Sequence, residues 1–322
     1  MNTVETDVDR RSLMPIALDT LCASAMLPFD IYVSSDKRAA LTLYRESSFP
    51  LAQGDIDRLA GRGMRTVYIR SGDAGVYRDH LRETILANQE IPPARRYQVL
   101  REAARAVLSE ALSNTDLAVA VQATSGLGQE MVQTVCDANV ILDDLLRVMS
   151  HDYSNFTHAM NVATYCLLIA RRLGITDAHE LLQIGQGALL HDVGKQRVPR
   201  AILEKPGQLT DQEKQIVRQH PTQGFRELCR REDLGWGQLM MVYQHHERCD
   251  GRGYPAGVTR TEIHEHGRIC AIADVCDALM RDRPYRKASL RADVVEYLDR
   301  QAGRGFDEEM ARCWMAAIIS ET

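Results

Sequence analysis

The sequence predicts a mainly α protein: an all-helical bundle over residues 126–322, preceded by a small α/β N-terminal domain over residues 1–90 and a helical linker over residues 91–125. Three observations predict it. Short runs rich in β formers are confined to the first segment. Pro92 and Pro93 then interrupt the chain. Beyond them apolar residues recur with helical spacing almost to the C-terminus.

In the first segment, residues 29–33 (Phe-Asp-Ile-Tyr-Val), 40–44 (Ala-Leu-Thr-Leu-Tyr) and 65–69 (Arg-Thr-Val-Tyr-Ile) read as strands, and residues 55–60 as a short helix. The segment lacks the long strand-helix alternation of a response-regulator receiver and carries no catalytic cluster. Residues 95–111 read as a long helix with Val99, Ala103, Ala106, Val107 and Ala111 at its apolar positions. Such a helix connects or dimerises domains, so a homodimer is one expected assembly. Further helices are expected over residues 129–148, over 155–173 with a stop at Gly174, and over 178–191 with a stop near Gly194. Thr210 and Glu213 form a capping box that opens another, and Pro221 restarts the chain after His220. The last helices are expected over 237–247, 266–280, 290–301 and 308–319.

Composition narrows the function. The chain has 322 residues, 45% apolar and 26% charged, enough to bury a core without disulfide or metal staples. A net charge of -5 argues against DNA or RNA polymers as partners, whereas a small anion needs only a local cluster of Arg and Lys. The eight cysteines show no C-x-x-C spacing and read as reduced thiols. Residues 1–11 are polar and acidic, unlike a signal peptide, and no run approaches the length of a membrane span. The expectation is a cytoplasmic protein with no membrane partner.

The chemistry gathers around His191-Asp-Val-Gly-Lys195, at the end of an apolar helix. As a dipeptide, His-Asp is weak evidence: with 10 His and 25 Asp in 322 residues, chance gives about 0.8 such pairs. A second copy indeed occurs at His151-Asp152, followed by Tyr-Ser-Asn, and reads as a polar helix start. The company of the first copy matters more. His158 lies mid-helix among apolar and small residues, and His220 precedes a proline at a helix junction. His245 and His246 adjoin on one helix, so they point about 100° apart and can share a site only in a concave bundle. Asp274 lies inside an apolar helix, where a carboxylate is costly unless paired or bound to metal. Each has an ordinary reading alone, as a core histidine, a cap or a helix-end charge. All of these readings holding at once is a much stronger demand. Imidazole and carboxylate donors suit first-row divalent metals, leaving Zn, Fe and Mn open.

Asp250-Gly-Arg-Gly-Tyr-Pro255 follows directly. Its glycines permit a tight turn and Pro255 fixes the exit. The functional reading is a loop that shapes the site mouth and contacts partner proteins. Glu247 reads as a group orienting a ligand histidine or as a helix-end charge.

Taken in order from about residue 153, these runs resemble the HD-GYP family of HD-domain metal-dependent phosphohydrolases. The match includes His158, His191-Asp-Val-Gly-Lys195, residues 202–210 (Ile-Leu-Glu-Lys-Pro-Gly-Gln-Leu-Thr), His220-Pro221, His245-His-Glu247, Asp250-Gly-Arg-Gly-Tyr-Pro255, Ala271-Ile-Ala-Asp274, Asp277-Ala-Leu279 and Arg283-Pro-Tyr-Arg286. The resemblance implies an HD-type helical bundle that hydrolyses cyclic di-GMP to linear pGpG, and on to GMP after a second cut, at a centre of iron or manganese. Some members of the family act on cyclic GMP-AMP. By motif, His158, His191, Asp192 and Asp274 would hold one metal, and Asp192, as a bridge, with His220, His245 and His246 the second. Members with a third metal carry a Glu four residues before the first histidine, where this chain has Ser154, so two metals are expected. Such metals supply an activated water and stabilise charge on the phosphoryl oxygens. Asp192 and Lys195 are then the catalytic residues, with Lys195 a cation beside a non-bridging oxygen. Arg283 and Arg286 clamp phosphate, and Gly253 and Tyr254 line the substrate site. The competing readings are a non-catalytic dinucleotide sensor, a docking module for diguanylate cyclase proteins acting through the Gly-Tyr-Pro loop, and an HD-type mononucleotidase, against which the Gly-Tyr-Pro run argues.

Overall fold

The computed structural model describes residues 12–21, 26–34, 41–47, 49–113, 117–149, 154–280 and 290–320. They form two compact units, Met1–Ala104 and Arg105–Thr322.

The first unit contains β1 (Leu13–Ala17), β2 (Ile31–Val33), β3 (Thr42–Arg45), α1 (Gln53–Gly61), β4 (Thr66–Arg70) and α2 (Ala74–Leu81). The strands make one antiparallel sheet in the order β1-β4-β2-β3. In β4 the buried Val67 and Ile69 alternate with the exposed Thr66 and Arg70, the pattern of a sheet with one face on a core. That core comprises Leu27, Phe29, Ile31, Leu51, Leu59 and Leu81 with the two β4 residues. Strand β1 was not expected, because Pro15 interrupts its sequence. It is tolerated there because β1 is an edge strand, where a missing N–H need not cost a ladder bond. Helix α2 also escaped the periodicity; it continues into a π-helical turn over Arg82–Leu86.

The long helix α3 (Pro93–Ser113) runs across the division between the units. The second unit continues with α4 (Leu117–Val135), α5 (Leu142–Val148), α6 (Asn155–Arg172), α7 (Ala178–Leu190), α8 (Arg200–Leu203), α9 (Asp211–Val217), α10 (His220–Leu228), α11 (Trp236–Gln244), α12 (Glu265–Met280), α13 (Arg291–Gln301) and α14 (Glu308–Ser320). The single helix expected over residues 129–148 is in fact α4 and α5. Asp137 breaks it: its carboxylate accepts from the Asn139 N–H at 2.8 Å and its carbonyl from the Val140 N–H at 3.1 Å, a local turn that competes with the helix.

Helix α6 is the axis of the second unit. Every residue from Phe156 to Ala170 is buried, and α4, α7, α12 and α14 pack around it. A helix buried on all sides is stable only in such a position. Ser154 opens it, its hydroxyl accepting from the Thr157 N–H at 3.1 Å, and Gly174 follows its end at φ 87°. Thr210 and Glu213 form the expected capping box of α9. Among the described residues no helix is long and apolar enough to cross a membrane.

One buried histidine gives the first unit a pH dependence. His80 lies edge-on to Phe29, 5.7 Å between ring centres, with Nε2 lacking a hydrogen-bond partner. Burial lowers its pKa from the ordinary 6.5, with Glu83 opposing the shift. The unfolded chain therefore takes up the proton first as pH falls below 6.5, and stability is lost from there toward the depressed folded value. Protease cleavage within residues 13–104 is expected to increase between about pH 7.5 and pH 5.5, one unit either side of an ordinary imidazole. The His80→Phe chain should show a flatter response.

Candidate metal centre

Four helix ends meet at one point. His191 and Asp192 follow α7, at the start of a 3-10 turn, Val193–Arg197. His220 opens α10 with Pro221 behind it, where the ring sacrifices no helical bond. His245 and His246 follow the last turn of α11. His158 lies in the first turn of α6, nearer its start than the expected mid-helix position, and Asp274 lies on α12.

These residues divide around Asp192. Its Oδ2 lies 3.3 Å from His158 Nε2 and 3.4 Å from His191 Nε2. Its Oδ1 lies 3.1 Å from His220 Nε2 and 3.8 Å from His245 Nε2. One carboxylate thus faces two histidine pairs, one pair to each oxygen. Asp274 borders both groups, with Oδ1 3.3 Å from His158 Nε2 and Oδ2 3.8 Å from His246 Nδ1. The adjoining histidines, expected to diverge, share the site because the helix ends there and each offers a different edge; their rings lie 4.1 Å apart.

Hydrogen bonds aim the imidazoles. Nδ1 of His191 faces the Ala188 carbonyl at 2.7 Å, that of His220 the Val217 carbonyl at 2.8 Å, and that of His245 the Met241 and Val242 carbonyls at 3.0 and 3.1 Å. His158 Nδ1 faces Asp277 Oδ2 at 2.7 Å, and Asn161 donates to Asp277 Oδ1 at 2.7 Å. With each Nδ1–H donated outward, the Nε2 lone pairs face inward. They converge to 3.2 Å between His158 and His191 and 3.1 Å between His220 and His245. Asp277 and Asn161 were not given roles from the sequence. The available signal was a second carboxylate one turn from Asp274 on an apolar helix, needing a partner of its own.

The electrostatics point the same way. Burial, reinforced by the neighbouring imidazoles, keeps His245 well below the ordinary histidine range; burial pushes His246 down to about 3. Both are neutral at physiological pH, as ligand histidines must be. Burial would raise Asp192 and Asp274. Lys195 and His191 beside Asp192, and the His158 hydrogen bond and charge beside Asp274, outweigh it and hold both carboxyls well below their usual range. Burial likewise opposes a charge on His158, but its hydrogen bonds to Asp192, Asp274 and Asp277 raise it well above the usual value. The protein field therefore favours a cation at this spot.

The donors fit metal ions. Asp192 Oδ1 is buried without a hydrogen-bond partner, although His220 Nε2 is near. Two groups, His158/His191/Asp192 and Asp192/His220/His245/His246, are compact enough to hold an ion. Mixed imidazole and carboxylate donors suit first-row divalent metals. Lys195 Nζ pairs with Asp192 Oδ2 at 2.5 Å.

Two glycines make the approach of these segments possible. A Cβ on Gly194 would lie 2.0 Å from the His220 carbonyl oxygen and 2.7 Å from the Gly224 nitrogen. Gly194 thus seats the His-Asp turn directly on α10. A Cβ on Gly253 would lie 2.5 Å from the Arg248 nitrogen, so that glycine folds the following loop back onto the end of the histidine segment. Tyr254 then stacks on His246, 4.7 Å between ring centres, and its N–H donates to the His246 carbonyl at 3.2 Å. Glu247 departs from both readings made of it: its carboxylate accepts from the Ala256 and Gly257 N–H groups and braces this loop. Arg283, Arg286 and the second pair, His151-Asp152, lie outside the described residues.

Asp277→Asn keeps the shape of the His158 support and removes its charge. Metal affinity is expected to fall about 10–100-fold, the usual cost of disturbing such a partner, read by chelator competition with the helical circular dichroism unchanged. Gly194→Ala is expected to destabilise the chain by about 1–3 kcal/mol, read by denaturant midpoint, as overpacking forces the His-Asp turn off α10.

The HD domain family model matches residues 137–310. A cyclic di-GMP phosphodiesterase of Pseudomonas aeruginosa is 34% identical over 194 residues, 60% of this chain and 46% of its own length. The cyclic di-GMP phosphodiesterase response regulator RpfG of Xanthomonas campestris pv. campestris is 40% identical over 142 residues, 44% of this chain and 37% of its own. A 3'3'-cGAMP-specific phosphodiesterase of Vibrio cholerae is 43% identical over 131 residues, 41% of this chain and 28% of its own. The chain thus spans less than half the length of these relatives. The solved structure of Bd1817, an HDG"Y"P protein from Bdellovibrio bacteriovorus, superposes with a TM-score of 0.65 at 20% identity, covering 96% of this chain and 99% of that one, a likeness of fold. A family match over more than half of the chain, together with the His-Asp and Gly-Tyr-Pro runs meeting at one centre, makes this protein a member of the HD domain family, in its HD-GYP branch.

Proposed function

We propose that this chain is a metal-dependent phosphodiesterase that hydrolyses cyclic di-GMP to linear pGpG and so lowers the level of that messenger. The observation that carries the reading is Asp192, one carboxylate with a histidine pair on each oxygen. Asp192 spans the two donor groups, with His158, His191 and Asp274 on one side and His220, His245 and His246 on the other. These residues would hold iron or manganese, which would supply an activated water and offset charge on the phosphoryl oxygens.

The remaining work falls to side chains. Asp192 stays ionised because Lys195 and the histidines offset its burial. The Lys195 ammonium, tethered beside that carboxylate, adds positive charge where the phosphoryl oxygens lie. Tyr254 and Gly253 form the wall of the mouth, and the family resemblance gives Arg283 and Arg286 the role of binding phosphate. The outer side of the same loop is the surface offered to a diguanylate cyclase protein. The set of donors is complete, which favours turnover over a sensor or docking role. The 43% identity to a relative named for cyclic GMP-AMP makes that dinucleotide the second substrate to test.

The test is product chromatography after incubating iron- or manganese-loaded protein with each dinucleotide. A peak of pGpG from cyclic di-GMP supports the proposal; metal binding with no linear product sinks it. GMP in the same trace reads a second cut. Asp192→Ala is expected to abolish turnover and to release metal from both groups, and substantial residual activity would refute the bridging role. Ser154 is engaged as the cap of α6 and is not a carboxylate, so elemental analysis of anaerobically purified protein should give two metals per chain. Three would overturn that count.

A further inference from the structure

Arg218 follows α9 as its C-cap, two residues before His220. Its guanidinium carbon lies 5.3 Å from the centre of the Tyr254 ring. The same ring stacks on His246, a donor of the candidate centre. Tyr254 therefore ties an exposed guanidinium to the edge of the metal site. Other cations of the second unit are paired with carboxylates: Lys195 with Asp192, Arg197 with Glu227, Lys205 with Glu213 and Arg248 with Asp250. Among the described residues no carboxylate lies within ion-pair distance of Arg218; Asp211 feels its charge but is itself paired with Lys214. A guanidinium seated over an aromatic face keeps its N–H donors for other acceptors, in a fork suited to phosphate.

We infer that Arg218 binds the phosphate of the cyclic dinucleotide that is not being cut. The inference rests on the proposed hydrolase reading and adds a specificity-determining residue to it. A cyclic dinucleotide carries two phosphates in one ring. When one lies over the metal donors the other lies away from them, and Arg218, over the Tyr254 ring, is outside the donor set. Tyr254 fixes the guanidinium there, so its charge need not be ordered anew when substrate arrives.

The experiment compares the metal-loaded parent chain with Arg218→Ala and Arg218→Lys, using cyclic di-GMP and bis(p-nitrophenyl) phosphate, a diester with a single phosphate and no base. Cyclic di-AMP, with the same two phosphates and different bases, is added as a competitor. For Arg218→Ala, KM for cyclic di-GMP is expected to rise about tenfold with kcat little changed, the scale of one lost charge-assisted hydrogen bond. KM for the single-phosphate diester should move less than about twofold, and inhibition by cyclic di-AMP should weaken in parallel with the cyclic di-GMP loss. Arg218→Lys should recover part of the loss. Equal changes for both diesters would make Arg218 a brace for Tyr254 and overturn the inference. So would no change for either. Loss confined to cyclic di-GMP, with cyclic di-AMP inhibition intact, would assign Arg218 to a guanine edge instead and also overturn it. If the parent chain turns over neither diester, the hydrolase reading fails by itself. Calorimetric binding of cyclic di-GMP then decides Arg218 separately, an unchanged Kd in Arg218→Ala counting against it.

Discussion

The second unit is organised around one carboxylate. Asp192 stands at a helix end with two imidazole nitrogens before each of its oxygens, and its Oδ1 is buried without a hydrogen-bond partner. A charge in that position would normally be neutralised or expelled. Here the neighbouring cation and imidazoles keep it ionised against its burial. The converging lone pairs around it cannot satisfy one another; they need a cation. The surrounding helices are arranged so that this need arises at a single point.

That arrangement is costly and is met by packing. Helix α6 places His158 at the floor of the site and is buried along nearly its whole length, so the ring cannot turn away. Asp277 and Asn161 form a hydrogen-bonded support beneath it, entirely inside the protein. Gly194 lets the His-Asp turn and α10 touch backbone to backbone. Removing any one of these would leave the imidazoles present but misaimed, and metal sites are sensitive to displacements of that kind.

The loop after the histidine pair is held from three directions. Glu247 accepts two of its N–H groups, Tyr254 stacks on His246, and Asp307 binds Arg260 at its far end together with Arg268 of α12. A loop anchored this way is part of the site wall. Its family signature therefore has a physical content that needs no substrate: glycine for close approach, and an aromatic ring for the edge of a ligand histidine. Arg218 extends that edge outward, from an element the motif does not include.

Much of this was legible in the chain alone. The helical character, the capping box of α9, the stop at Gly174 and the candidate His and Asp residues follow from local chemistry (propensity, caps and the cost of burying a charge), whereas their division into two ligand sets came from the family resemblance. Strand β1 and the break at Asp137 were not legible, because an edge position and a turn competing with a helix depend on what lies alongside. The same holds at the site. Sequence names donor types, since a carboxylate on an apolar helix needs a reason wherever it sits. It does not say which oxygen of Asp192 faces which histidine pair, that Glu247 serves the loop, or that Asp277 holds His158. All three are questions of direction; the last joins residues 119 positions apart, and only the packing of α6 against α12 answers it.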